Sequence, residues 1–160
     1  MESTVRGVLF ALATVAALSM PVASYAGDED NADDFMQLHK IEIAFHEAGS
    51  TKNLDLMLSL FADDAVLTAK DHTYIGKEQI KEYWQAHPAF QKDNQWVGYT
   101  PAFRIRYSVQ GETAHLYFEC LWVDALANKI ATHTNSDGNL VRVNGRWLIK
   151  EMKAAAVPGV

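Results

Sequence analysis

An α+β fold follows from three features of the sequence. Apolar residues recur at helical spacing between about residues 34 and 87. Beyond residue 100 apolar and polar residues alternate, and Gln110-Gly111 and Asn144-Gly145 punctuate that alternation. Three helices followed by a curved antiparallel sheet are therefore expected.

The first helix is expected from about Asp34 to Ala48, because Leu38, Ile41, Phe45 and Ala48 form one stripe and Gly49 stops it. A second starts at Asn53, a good N-cap, and places Leu54, Met57, Leu58 and Phe61 on one face, with Asp63-Asp64 ending it. Val66 to Ala69 reads as a short strand. Asp71-His72 turns the chain, and Thr73-Tyr74-Ile75 returns. The third helix spans Lys77 to about His87, with Ile80, Tyr83, Trp84 and His87 on its face and Pro88 ending it. Residues 89 to 100 read as a loop carrying Trp96 and Tyr99.

In the alternating half, Phe103, Ile105, Tyr107 and Val109 share one face. With Gln110-Gly111 as the turn, Ile105 faces Leu116 and Phe103 faces Phe118, and the apolar face continues through Cys120 and Trp122. The other face pairs Arg106 with His115 and Arg104 with Tyr117, near Glu119. A long strand from about Ile130 to Val143 and a last one from Arg146 to about Ala154 follow. A two-residue Asn-Gly loop would put Arg142 beside Trp147. A three-residue loop puts Val143 opposite Trp147 and Val141 opposite Ile149, and the apolar pattern favours it. Asn139 then faces Glu151 on the inner surface.

Residues 1–26 have the pattern of a secretory signal: Arg6, an apolar run from Gly7 to Met20, and Ser24-Tyr25-Ala26 before the cut. Export to the periplasm or medium is expected, with an acidic flexible tail over residues 27–34 and one domain over 35–156. The apolar run is short for a bilayer span, so no stable membrane span is expected after cleavage. The single cysteine, Cys120, excludes an internal disulfide and a lipoprotein anchor, so the core must hold the domain. A net charge of −6 without a basic patch disfavours nucleic acid.

The element order and the segments Phe61-Ala62-Asp63-Asp64-Ala65-Val66, Tyr74-Ile75-Gly76-Lys77-Glu78-Gln79-Ile80 and Gly145-Arg146-Trp147-Leu148-Ile149 resemble the SnoaL-like branch of the nuclear transport factor 2-like superfamily. The resemblance implies a cone: a sheet wrapped around helices, with a deep apolar pocket for a small hydrophobic molecule. Such proteins include isomerases, dehydratases and catalytically silent binding or assembly modules, so the fold leaves these functions open. It also implies a homodimer through the face of Arg104, Arg106, His115, Tyr117 and Glu119.

The same resemblance guides the choice of site residues. Steroid isomerases of the superfamily carry a general-base Asp where this chain has Ala69, which cannot take a proton. Asp71 and His72, just beyond, are its nearest substitutes, and they also suit a plain turn. Glu42 and Asn139 fall near the two oxyanion-donor positions. Scytalone dehydratase-like members have a His- and Asn-rich strand before the final hairpin. Here His133 would be the base and Asn135 or Asn139 the donors, although a solvated edge strand fits too. Glu151 follows Trp147 and Ile149 at period two, which predicts an inward carboxylate suited to a general base. Glu42, Tyr83, Trp96 and Asn135 are the ligand-binding candidates. His39, Glu42 and His46 have a spacing compatible with a metal, but a solvated helix face accounts for them. No metal or nucleotide motif is present, so no cofactor is implied.

Overall fold

The computed structural model describes residues 28–158, so the expected signal segment, residues 1–26, lies outside the described residues. The helices are α1 (Asp28–Thr51), α2 (Leu54–Ser59) and α3 (Gly76–Ala86). The strands are β1 (Phe61–Ala69), β2 (His72–Ile75), β3 (Trp96–Tyr99), β4 (Ile105–Gln110), β5 (Thr113–Asp124), β6 (Lys129–Val143) and β7 (Arg146–Ala156). They form one sheet in the order β2-β1-β7-β6-β5-β3, with β4 also paired to β5. The β1–β7 contact is parallel, so the sheet is mixed and not wholly antiparallel as expected.

Helix α1 is longer than expected at both ends. Residues Asp28 to Asp34, expected as a flexible tail, are part of this helix. Asp34 is also held from the far side of the fold. Its carboxylate accepts from Arg142 Nη2 at 2.6 Å and from Trp147 Nε1 at 3.0 Å. At the other end Gly49 does not stop the helix. A Cβ there would lie 2.3 Å from Trp122 Cη2, so this glycine makes room for a ring. The helix closes two residues later, where Lys52 takes a positive φ of 59°.

Asn53 caps α2 as expected, accepting from Leu56 N–H at 3.0 Å. The helix ends at Ser59, however, and the chain enters β1 by Phe61, five residues earlier than expected. Pairing with β7 accounts for the earlier start, since Phe61 lies beside Ile149. The segment read as a loop contains β3, because Gly98 and Tyr99 find partners in Trp122 and Leu121. Phe103 lies in a 3-10 turn before β4 and is 78% exposed, not in the strand.

Two registers differ from expectation. Gly111-Glu112 forms the β4–β5 turn, so Ile105 faces Phe118 and Arg106 faces Tyr117. A shift of two residues keeps every side chain on its expected face. In the β6–β7 hairpin the two-residue loop wins: Asn144 and Gly145 both have positive φ, 51° and 76°, and Arg142 faces Trp147. The apolar pattern misled here because Arg142 lies over the Trp147 ring, 4.6 Å from its centroid, and both side chains bond Asp34.

The core packs α1 and α3 against one face of the sheet. Leu38, Phe45, Ile80, Trp84, Leu116, Phe118, Trp122, Leu140 and Ile149 are all buried there.

Candidate functional site

The helix-facing side of the sheet holds an unusual polar group. Glu42 and His46, one turn apart on α1, are each 5% exposed. His46 Nδ1 lies 2.9 Å from Glu42 Oε1 and 3.0 Å from the Glu42 backbone oxygen. Both neighbours are acceptors, so Nδ1 carries a proton, and in the neutral ring Nε2 then presents a lone pair. Nε2 is buried without a hydrogen-bond partner. Burial works to raise the pKa of Glu42, but the hydrogen bond and charge of His46, with help from Thr100 and His39, hold it below the ordinary carboxylate value. The Thr100 hydroxyl approaches the carboxylate without completing hydrogen-bond geometry of its own.

Aromatic rings surround this pair. The His46 ring lies 5.7 Å from Phe118 and 5.9 Å from Trp122. Phe45 stands edge-on to both Phe118 and Trp84. At the end of α3, His87 packs against Tyr83, Trp84 and Trp122. Burial, and to a lesser extent the charge of Lys70, lowers the His87 pKa to about 4, so the ring is neutral near pH 7. Burial chiefly pushes the Tyr83 hydroxyl up to about 12. Trp84 Nε1 is buried without a partner. Cys120 lies on the same side, and burial raises its thiol far above the usual range, so it stays protonated.

Of the residues expected from sequence, Glu42, Tyr83 and Trp96 lie on this inner side. Glu42 and Tyr83 belong to the buried aromatic group, and Trp96 packs half-buried against the core. The others lie elsewhere. Asp71 is in the β1–β2 turn and His72 opens β2, both exposed. His133, Asn135 and Asn139 do share a face, as their parity predicts, but it is the sheet's outer face. Their intervening neighbours Ser136, Gly138 and Leu140 are the buried ones.

Glu151 is the clearest correction. It does face Asn139, whose Nδ2 donates to Glu151 Oε2 at 3.2 Å. Leu140 pairs with Ile149 and Asn139 with Glu151, so Lys150 is an extra residue in β7. That bulge reverses the strand's parity, and Glu151 turns outward while Ile149 and Met152 stay buried. The one-residue bulge also offsets the one-residue error in the hairpin register, which is why the pair was legible although its face was not. Asn139 and Glu151 line a shallow outer groove of about 280 Å³ with His115, Asp137 and Lys153.

Another buried carboxylate, Glu119, lies on the outer face. Glu119 accepts from His133 Nε2 at 2.8 Å, from Tyr117 OH at 3.0 Å and from Arg104 Nη1 at 3.1 Å. Burial tends to raise the Glu119 pKa, but Tyr117, His133 and Arg104 hold it low. Among the described residues, no cluster of His, Cys, Asp and Glu has metal-binding geometry. No described helix is long and apolar enough to cross a membrane.

Sequence reasoning missed His46 and His87 as site residues. His87 stood on the expected apolar face of the third helix, and that was its signal. His46 gave a weaker one, its i+4 spacing from Glu42, because β3, which covers it at Gly98, lay in a segment read as a loop.

Residues 43–148 match the SnoaL-like domain. No curated protein is recognisably similar in sequence. Among solved structures, the chain is similar to a variant of Rv3472, a protein of unknown function from Mycobacterium tuberculosis. The two are 16% identical over 86% of this chain and 79% of that one, with a TM-score of 0.73. A putative scytalone dehydratase from Novosphingobium aromaticivorans aligns at 12% identity over 79% and 86% of the two chains, TM-score 0.65. LinA aligns at 15% identity over 82% and 94%, TM-score 0.66. At such identities these likenesses carry the fold alone.

Proposed function

Because the chain belongs to the SnoaL-like domain family, we propose that it binds a small hydrophobic molecule at the inner aromatic end of the cone and abstracts a proton from it with His46. The observation that carries this reading is the buried Glu42–His46 pair, which leaves His46 Nε2 without a partner. Glu42 fixes the tautomer. When Nε2 takes a proton from an acidic C–H, the carboxylate 2.9 Å from Nδ1 stabilises the imidazolium that forms. The surrounding rings lower the local dielectric and strengthen that attraction. A positioned base of this kind typically contributes about 10²–10⁴ in rate. It would serve an isomerase or a lyase without a cofactor.

The α-proton exchange of α-tetralone, a bicyclic ketone, in deuterated buffer tests this. The wild type is expected to exceed buffer, and Glu42→Gln to lose about tenfold or more of the excess, since a neutral amide stabilises the imidazolium less. Exchange no faster than buffer, or equal in both proteins, would sink the general-base role.

The close packing of Phe45, Trp84 and Phe118 favours a second reading, a domain that binds or assembles without turnover. Binding of tetralone without exchange would select it. Export and homodimerisation through the outer face belong to the same proposal. N-terminal sequencing of the mature protein, expected to begin after Ala26, and sedimentation of the pure protein test them.

A further inference from the structure

We infer that the outer groove binds a neutral, hydroxyl-rich molecule, a short oligosaccharide laid along β6 and β7. The groove lies across the sheet from His46, so this inference does not depend on the interior reading above. It shares His115, and none of the other residues named for it, with the face proposed for dimerisation.

The groove has two lobes, of about 280 and 360 Å³, that meet at His115, Asn139 and Glu151. These three residues are neighbours in register across β5, β6 and β7. Along β6 the groove runs from Asp137 to Val141, about 13 Å of extended chain. The bulge at Lys150 makes the site, because it turns Glu151 out of the core and into the groove beside Asn139. Bulges are frequent next to functional sites, where they re-aim a side chain in this way.

The hydrogen-bonding capacity left over in the groove defines the ligand. Asn139 Nδ2 spends one hydrogen on Glu151 Oε2, which leaves its second hydrogen to donate and Glu151 Oε1 to accept. Two neighbouring hydroxyls fit that pair, one accepting from the amide and one donating to the carboxylate. His115 Nε2 lies 2.6 Å from Asp137 Oδ1, which holds that carboxylate in place and leaves Oδ2 to accept. Thr68 and Ser108 add hydroxyls in the two lobes. The charges weigh against other ligand classes. An anion would meet Asp137 and Glu151, and a cation would meet Lys153. Lys150 is already bound to Asp64. An apolar molecule would strip water from all of these groups and return no hydrogen bond. A hydroxyl donates and accepts at once, so a neutral polyol satisfies both carboxylates, the amide and the ammonium together.

Proton–nitrogen NMR of the wild type, titrated with cellotetraose, tests this. The backbone amides of residues 137–141 and 150–153 and the Asn139 side-chain amide are expected to shift, with a Kd on the order of 1 mM for so shallow a site. Glu151→Ala is expected to weaken binding about tenfold or more, the ratio that a hydrogen bond to a charged group supplies. Asn139→Asp, which trades the donor for a second acid beside Glu151, is expected to weaken it as well. Both positions are exposed, so the fold tolerates the changes. No shift with cellotetraose, or wild-type affinity in both variants, overturns the inference. So does a response to spermidine or inorganic phosphate without one to cellotetraose, because the groove would then read charge. Each of these failures leaves tetralone exchange, and with it the interior reading, untouched.

Discussion

The sheet carries a buried carboxylate–imidazole pair on each of its faces, and the two pairs are built for different ends. On the outer face Glu119 takes three donors, from β5, β6 and the turn before β4. Its hydrogen-bonding capacity is largely used, and its partner Arg104 is itself 48% exposed. On the inner face Glu42 holds His46 between a helix and the sheet, among apolar rings. The outer network ties three segments together. The inner pair leaves a nitrogen free in a low-dielectric setting, which is the condition for chemistry. A short contact between an acid and an imidazole is therefore no guide to function by itself. What else the acid binds, and what encloses the imidazole, decides.

The largest expected effect comes from removing each acid in turn. Glu119→Ala strands His133, whose Nδ1 already lacks a partner, together with the Tyr117 hydroxyl and the Arg104 guanidinium. Losing a hydrogen-bonded buried acid of this kind costs several kcal/mol, and shallow cover reduces that to about 3 kcal/mol. Glu42→Ala should cost less, about 1 kcal/mol, because His46 Nδ1 keeps the backbone oxygen of residue 42 as an acceptor. Urea denaturation of the two variants checks the order. Equal losses would mean that the inner pair is as structural as the outer one.

A pH series sharpens the comparison on the inner side. The His87 pKa falls from an ordinary 6.5 to about 4 on folding. The unfolded chain therefore binds the His87 proton first as pH falls, and the folded state loses stability between about pH 6.5 and 4. The full shift corresponds to about 3 kcal/mol, and partial exposure of the ring reduces it to about 2 kcal/mol. Glu42, whose pKa is depressed, adds its loss only below its ordinary value of 4.5. Wild type minus His87→Gln, followed by thermal unfolding from pH 7 to 4, should converge across this window. Parallel curves would show that His87 is solvated in the folded protein.

Much of the architecture was legible in local signals. The stripe of Leu38, Ile41, Phe45 and Ala48, the Asn53 cap and the alternation through Phe118, Cys120 and Trp122 are each read from neighbours in the chain, and each lies where that reading puts it. Non-local features were not legible. The bulge at Lys150 has no marker such as glycine, yet it alone turns Glu151 from the inner face to the outer. Gly49 looks like a helix stop and instead receives the Trp122 ring. The Arg142–Trp147 pairing looked poor until Asp34, over a hundred residues away, supplied the carboxylate that both side chains share. Candidate residues read from strand parity therefore failed wherever a bulge intervened or the face was assigned wrongly, and the helix face of His39, Glu42 and His46, read as solvated, in fact buries Glu42 and His46.

The smallest effect is expected at the shortest of the histidine contacts. His115 Nε2 lies 2.6 Å from Asp137 Oδ1 beside the outer groove, but the two side chains are 45% and 52% exposed. Water and salt screen such a pair, and its contribution is typically below about 1 kcal/mol. His115→Ala should move the urea midpoint by no more than about 0.5 kcal/mol of stability, an effect that shrinks further in 1 M salt. It should also leave tetralone exchange unchanged, because His115 lies across the sheet from His46. A loss of exchange in this variant would transfer the chemistry to the outer groove. The inner pair would then be a core contact, and the contrast between the two faces would be reversed.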